Sequence, residues 1–463
     1  MKFSVLTLGC DKNTVDSERM VATLVGHGAE HAPDPADAEV LIVNTCGFID
    51  AAKEESIDTL LEAARLKDSG RLLALVAVGC LVEQYRDELA RSIPEVDLFL
   101  GLRDLPQLVP QLVMRGLLDG RVHRHPGGRL PLGGLRHSSY LKVSEGCDHT
   151  CSFCAIPLWR GRHRSFDSAA LVEEARALEA RGVAELNLVA QDLAHYGRDL
   201  AGSQGLHDLL EQLLRHTEIP WLRLLYIYSA GLRPALVELI GREERVLSYI
   251  DMPIQHASTR MLELMRRPER PDVLREKIDW LRSQIPDLAI RTTVLVGFPG
   301  ESEEDFEALL DFIGDVEFDH LGAFAYSPQP GTPGAEMPDS LPESVKLERL
   351  ALVGELQRSI VASHNAARIG TPVEVLVDRL VDAGGREPQI EARMRSQAID
   401  VDGLTYLAAS NIALAPGDLA RATVTNADDA DVWAEAQSVI RPAHRPFRRD
   451  EAPALDLQTA WGR

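Results

Sequence analysis

The chain has 463 residues, 45% hydrophobic and 26% charged, the composition of a folded protein of two to four domains. Its formal net charge of −22 argues against a protein whose main task is gripping phosphates and favours basic partners. The longest apolar run, at 72–82, is too short to cross a bilayer, and the N-terminus lacks a signal-peptide pattern. A cytoplasmic location is therefore expected, where clustered cysteines bind metal or do chemistry more often than they form disulfides.

Residues 1–118 alternate apolar strands with helices. The segments KFSVLTLGC, EVLIVNTCGF and RLLALVAVGC predict strands that end at Cys10, near Cys46 and at Cys80. Helical patterns lie between them, which predicts a parallel sheet covered on both faces. The three cysteines are 36 and 34 residues apart, about one strand–helix unit each. In an open parallel sheet the C-terminal strand ends form one edge where ligands bind, so the three thiols are expected to converge there. Cysteine is also a common core residue, but core cysteines would fall in mid-strand. Gly9, Gly47 and Gly79 adjoin the three cysteines and suggest close backbone approach. Lys12 and Asn13, beside Cys10, either position this site or its substrate, or form a solvated pair.

Residues 119–137 carry four Arg and three His among Gly and Pro and read as a solvated linker. Residues 138–362 contain six candidate strands, SYLKVSE, AELNLVA, WLRLLYIY, VLSYIDM, AIRTTVLV and HLGAFAY, separated by helical stretches. This predicts a partial (βα)6 barrel with its chemistry at the C-terminal strand ends. Directly after the first strand comes Cys147-x3-Cys151-x2-Cys154. Three thiolates can hold three irons of a 4Fe-4S cluster and leave the fourth open to a small molecule. Structural zinc, with His149 as fourth ligand, is the alternative, although no second cysteine knuckle follows.

Further candidates sit at later strand ends. Gln191 and Asp192 end the second core strand and could touch a cofactor or merely cap a helix. Gln255 and His256 end the fourth. Gly297 and Gly300 in VGFPGES could bring backbone N–H groups to a cofactor, although the stretch lacks the lysine of a P-loop. Ser302 opens a helix as a capping box, and Gly314 is expected to end it. Residues 363–440 predict short strands in a small antiparallel barrel, with six Arg and no Lys against twelve Asp and Glu, a balance of −6. Residues 441–463 read as a mobile tail.

The Cys147–Cys154 spacing, with Phe153 before the last cysteine, resembles the signature of radical S-adenosylmethionine enzymes. Cys10, Cys46 and Cys80 on a preceding α/β domain, with a small C-terminal barrel, resemble the methylthiotransferases of that superfamily over about residues 1–440. LGCDKNTVDSE and VNTCGFIDAAKEESIDTLLEA look like its RimO-type branch, whereas the tRNA-modifying branch more often has Gln-Met-Asn where Asp11, Lys12 and Asn13 stand. One departure is Ser229 in LLYIYSAG, where the family usually has Pro.

The resemblance implies an α/β fold of three parts: an N-terminal parallel cluster domain, a central partial (βα)6 radical core and a TRAM-like antiparallel barrel. It implies two 4Fe-4S clusters, one on Cys10, Cys46 and Cys80 and one on Cys147, Cys151 and Cys154. It also implies S-adenosyl-L-methionine near Phe153, Gln191, Asp192, Gly297 and Gly300. The implied reaction inserts a methylthio group at the β-carbon of an aspartate of ribosomal protein S12, free or in the small subunit, with an electron donor as a further partner and no membrane. The acidic C-terminal barrel, poor in stacking aromatics beyond Tyr406 and Trp433, fits a basic protein better than RNA. The same chemistry on tRNA adenosine and a non-catalytic zinc scaffold are the competing expectations.

Overall fold

The computed structural model describes residues 1–123, 128–202, 205–381, 389–408 and 412–443. The N-terminal part runs β1 (Lys2–Thr7), α1 (Asp11–Gly26), β2 (Glu30–His31), β3 (Val40–Thr45), α2 (Asp50–Arg65), β4 (Ala74–Gly79), α3 (Cys80–Ser92), β5 (Leu98–Leu100) and α4 (Leu108–Met114). Its strands form one parallel sheet in the order β2-β1-β3-β4-β5. Alternate residues of β3 face opposite layers. Val40 and Ile42 pack with α1 and α4, while Leu41 and Val43 pack with α2 and α3. That explains why these strands read as continuous apolar runs.

The central part contains β6 (Ser138–Lys142), β7 (Ser144–Glu145), α5 (Ile156–Trp159), β8 (Arg164–Ser165), α6 (Ser168–Ala180), β9 (Glu185–Val189), α7 (Leu206–His216) and β10 (Trp221–Leu224). It continues through α8 (Pro234–Arg242), β11 (Val246–Asp251), α9 (Thr259–Leu264), α10 (Pro271–Gln284), β12 (Ala289–Val296), α11 (Glu303–Val316), β13 (His320–Ala325) and α12 (Glu343–Ala367). All six expected strands are present, in one open sheet ordered β13-β12-β11-β10-β9-β6. The outer face packs on helices through Leu186, Leu188, Leu222, Leu224, Ile250 and Ile290, each worth roughly 1.5–3 kcal/mol when fully buried. The inner face carries Tyr140, Trp221, Tyr249 and Ala289.

A five-stranded barrel closes the described chain: β14 (Pro372–Val381), β15 (Gln389–Met394), β16 (Thr405–Ala408), β17 (Leu419–Ala427) and β18 (Val432–Arg441). Its strands pair antiparallel except β16 and β18, which pair parallel and seal it. The strand β18, VWAEAQSVIR, carries the barrel one residue past its expected end at 440. Two boundaries also shift. Helix α12 runs on to Ala367, past the expected domain edge at 362, because no Gly or Pro lies between that edge and Gly370. Helix α11 passes through Gly314 and ends at Val316, capped by Glu317 at φ +51. Its expected start is present: the Ser302 hydroxyl accepts from Asp305 N, and the Asp305 carboxylate accepts from Ser302 N at 3.0 Å. The segment expected to be a mobile tail begins at Arg441, inside β18, and its residues 444–463 lie outside the described residues.

The linker is more than solvated connection. Arg129 is buried, and its guanidinium donates to Glu18 of α1 and Glu174 of α6. At the far end, His137 meets Asp378 of the C-terminal barrel at 2.9 Å. A linker arginine therefore locks the first two parts together, which composition alone hides. Residues 124–127 lie outside the described residues.

The C-terminal barrel sits on the inner face of the central sheet, where Leu376, Ala398 and Leu419 pack against Trp221, Leu247 and Tyr249. Within this contact Glu185 receives Arg223 at 2.9 Å and Arg393 at 2.7 Å, and Arg393 also holds Asp378 at 2.7 Å. Burial alone would raise the Glu185 carboxyl, but the two guanidinium groups outweigh it and bring it down to about 2. A value below that of the unfolded chain means stability that is complete above about pH 4.5 and lost as pH falls toward about 2. Removing one member strands a buried charge, so Glu185→Gln is expected to lower stability by about 3 kcal/mol at neutral pH. The same substitution should flatten the acid limb of the urea midpoint plotted against pH.

Candidate active site

Strands β1, β3 and β4 are paired so that Thr7 meets Asn44 and Thr45 meets Gly79. Their C-terminal ends are level, and Cys10, Cys46 and Cys80 follow them. Gly9 lies at φ +83, and a Cβ there would sit 2.7 Å from Cys46 Sγ, so the loop bearing Cys10 lies directly against Cys46. The Asn13 side chain donates to Leu8 O at 2.9 Å and Thr45 O at 3.2 Å, holding both loops. Ser56 clasps Cys46, accepting from its N–H at 3.0 Å and donating to its carbonyl at 2.8 Å. Burial pushes the Cys80 thiol up to about 12 and raises Cys46, and the neighbouring sulfurs add to both. Three sulfurs gathered at one sheet edge, Cys46 and Cys80 buried and Cys10 exposed, are a cation site in chemical terms once deprotonated.

Cys147, Cys151 and Cys154 form the second group, on the loop after β7. Burial pushes Cys147 up to about 11 and Cys154 up to about 12, and repulsion among the three sulfurs contributes. Arg267 approaches Cys151 Sγ at 3.9 Å. Both donor sets fit an iron–sulfur cluster: three soft sulfur ligands each, with Arg160 the cation facing the first set and Arg267 the one facing the second. The two groups are neighbours. Ala155, next to Cys154, and Trp159 pack with Cys80. A cleft of about 460 Å³ opens beside the second loop, lined by Asp148, His149, Thr150, Tyr228, Arg266, Arg267 and Pro268, a volume suited to a small molecule.

The other expected site residues divide. Phe153 packs with Met261, Met265, Phe298 and Tyr326, an apolar wall behind the cysteine loop. Gln191 donates to Glu145 at 3.4 Å and keeps its carbonyl oxygen buried without a partner. Asp192 caps the turn at Leu193–His195 and is engaged by four donors. It accepts from His149 at 2.8 Å, His195 at 2.5 Å, Ala194 N at 2.8 Å and Tyr228 N at 3.2 Å. Burial would raise this carboxyl, but the two imidazoles outweigh it and hold it well below the usual range. The His149 ring is stacked on Tyr228 at 4.3 Å, and its nitrogen faces Asp192 beside His195.

The backbone N–H groups of Gly297 and Gly300 are likewise committed. Gly297 donates to the buried Glu301 carboxylate and Gly300 donates to Asp339 O at 3.1 Å. Glu301, four residues into the same turn, is the stronger partner because it is a charge. His256 Nδ1 accepts from Ala257 N at 2.9 Å and Ser258 N at 3.0 Å, while its Nε2 is buried without a hydrogen-bond partner. Gln255 stands at φ +69 and bridges to Val294. Ser229 replaces proline geometry with a polar tie, its hydroxyl donating to Glu269 at 3.2 Å.

Sequence reading passed over the residues that join the two thiol groups. Arg160, six residues past Cys154, donates to Glu145 at 2.9 Å, Asp16 at 3.3 Å and the Asn13 side-chain oxygen at 2.7 Å. Lys142 ends β6 and binds the same two carboxylates, Asp16 and Glu145. Burial would raise Glu145, but Lys142 and Arg160 hold it far below the usual range. Nothing in the motif around Arg160 distinguishes it from Arg162 and Arg164 nearby; only the packing singles it out.

Comparison with known proteins follows the same division. Residues 2–101 match the model described as Uncharacterized protein family UPF0004, residues 141–313 the Radical SAM superfamily and residues 369–436 the TRAM domain. The chain is 42% identical to the ribosomal protein uS12 methylthiotransferase RimO of Anaeromyxobacter sp. (strain Fw109-5), covering 97% of this chain and 95% of that one. It is 43% identical to the protein of that name from Desulforudis audaxviator (strain MP104C), covering 95% and 98%. Among solved structures, it resembles the radical S-adenosylmethionine methyltransferase TsrM of Kitasatospora setae with tryptophan substrate and a SAM analog bound. The TM-score is 0.52 at 15% identity, covering 72% and 74%, a likeness of fold.

Two substitutions test this geometry. Gly9→Ala would force a Cβ into Cys46, and is expected to bring iron after reconstitution down from about eight atoms to about four, counted by colorimetric iron assay. Arg160→Met leaves Asp16 and Glu145 with Lys142 alone; it is expected to cost about 3–5 kcal/mol and to speed proteolysis within 119–137, followed by gel.

Proposed function

The chain belongs to the radical S-adenosylmethionine methylthiotransferase family of RimO, and from that membership we infer that it places a methylthio group on ribosomal protein uS12, at the β-carbon of an aspartate. The observation that carries the reading is two groups of three thiols at one domain junction: Cys80 shares an apolar cluster with Ala155, which follows Cys154, and Trp159. Cys147, Cys151 and Cys154 would hold one 4Fe-4S cluster, and Cys10, Cys46 and Cys80 a second. Bound there, the clusters and S-adenosylmethionine supply the one-electron chemistry that breaks an unactivated C–H bond, which no ordinary side chain performs.

The protein supplies position and electrostatics. The unpartnered carbonyl oxygen of Gln191 is suited to accept from the cofactor's amino group. Phe153 and its apolar neighbours exclude water on one side of the cysteine loop. Arg160, shared between Asn13 beside Cys10 and Glu145 beside Cys147, keeps the two triads in register. Because the buried thiols sit near 11 to 12, loading iron at neutral pH must release protons.

The choice of a protein substrate over tRNA rests on the C-terminal barrel. Arg393 is buried in the Glu185 cluster, Arg395 pairs with Glu374 and Arg368 with Asp319. These ties take up three of the six arginines of residues 363–440, and the exposed Arg379 and Arg421 stand in a segment whose acidic residues outnumber its arginines twelve to six, a poor footprint for a phosphate backbone. Tyr406 and Trp433 lie against each other, ring centroids 5.7 Å apart. Among the described residues no helix is long and apolar enough to cross a membrane.

The test offers reconstituted enzyme, reductant and S-adenosylmethionine both uS12 and tRNA, with mass spectrometry of each. uS12 is expected to gain the methylthio group; label on tRNA alone would refute the substrate. Cys80→Ala is expected to keep forming 5′-deoxyadenosine while losing the methylthio product, whereas Cys147→Ala loses both. Stoichiometric zinc in place of about eight irons would refute the chemistry altogether.

A further inference from the structure

We propose that Lys12 receives the side-chain carboxylate of the target aspartate and so fixes the reacting carbon. The proposal rests on the uS12 reading above and names the residue that recognises its target. Lys12 lies in the first turn of α1, two residues past Cys10. Its side chain crosses the domain junction to the mouth of the central sheet, where Nζ stands 3.3 Å from the centroid of the Tyr226 ring. Tyr226 lies just past the end of β10 at φ +62, a conformation that costs a non-glycine residue energy and is held by its surroundings. Its N–H is fixed by Asp251 at 3.1 Å.

The cations at this mouth differ in how they are held. Lys142 and Arg160 each bind both Asp16 and Glu145. Arg291 is flanked by Asp251 at 3.3 Å and Asp402 at 3.5 Å. Arg267 holds Glu269 at 3.1 Å and Pro253 O at 2.8 Å. Lys12 pairs with one carboxylate, that of its chain neighbour Asp11 at 3.1 Å. Its other support is the Tyr226 ring, which stabilises the charge without accepting a conventional hydrogen bond. An ammonium has three donors, so this one can take a second carboxylate.

The chemistry of the substrate calls for such a group. A carboxylate carried from water into a closed junction must meet a cation. The β-carbon is bonded directly to that carboxylate's carbon, so whatever holds the carboxylate also places the carbon to be modified. At Lys12 that carbon would lie beside the Cys10 edge and against the mouth of the central sheet. An amide in place of the carboxylate would bring no charge to the ammonium.

The experiment compares wild type, Lys12→Met and Lys12→Arg, each as the full reconstituted chain. Each is offered uS12 and a uS12 variant with asparagine at the target position. Affinity for both forms is measured, together with methylthio product formed per 5′-deoxyadenosine. Wild type is expected to bind the aspartate form at least about tenfold more tightly than the asparagine form. Lys12→Met is expected to erase that ratio and to form several times more 5′-deoxyadenosine per product, and Lys12→Arg to restore part of both. Equal binding of the two forms by wild type, or an unchanged ratio in Lys12→Met, would overturn the role of Lys12 while uS12 remained the substrate. No methylthio group on uS12 with wild type would overturn the substrate reading and Lys12 with it. Should Lys12→Met fail to hold iron, the wild-type ratio and Lys12→Arg still decide.

Discussion

The buried charge cluster of Arg160, Lys142, Asp16 and Glu145 is the contact on which the site depends. Two cations from the central part bind a carboxylate of the N-terminal helix and one beside Cys147. An ion cluster of this kind gives little net stability compared with an apolar interface of similar volume. What it provides is direction: charge-assisted hydrogen bonds are oriented, so the two thiol-bearing loops have one relative placement. Apolar packing between Cys80, Ala155 and Trp159 fills the space that the charges align.

Around that junction the protein builds two sites by different means. Cys147, Cys151 and Cys154 come from one loop, so local chain geometry brings them together. Cys10, Cys46 and Cys80 come from three strands, and only the level register of β1, β3 and β4 brings them to one edge. The second arrangement needs more supports. Gly9 gives up its side chain, and Asn13 and Ser56 tie the loops. The burial that raises the thiols in both places makes each triad unsatisfied by protein alone.

The C-terminal barrel plays a structural part before any recognition role. Its Arg393 and Asp378 complete the cluster around Glu185, and Asp402 accepts from the Tyr249 hydroxyl at 2.8 Å on the inner face of the central sheet. Charges that a surface count would assign to a partner are thus partly turned inward.

The sequence by itself determined the three-part fold, the six core strands, the helix start at Ser302 and the placing of the cysteines in loops that follow strands, because apolar periodicity, caps and cysteine spacing are local signals. It also carried the family, through motifs that are contiguous in the chain. It did not determine which polar residues act. Asp192, Gly297 and Gly300 sit at suggestive strand ends, yet their polar groups are taken by His149 and His195, by Glu301 and by Asp339. Arg129 and Arg160 looked like ordinary basic residues and became buried anchors. Whether a charge faces solvent, a partner or a counter-charge is set by residues more than a hundred positions away, as with Arg160 and Asp16. Long-range packing therefore decided the electrostatics of the junction, while short-range pattern decided the elements that meet there.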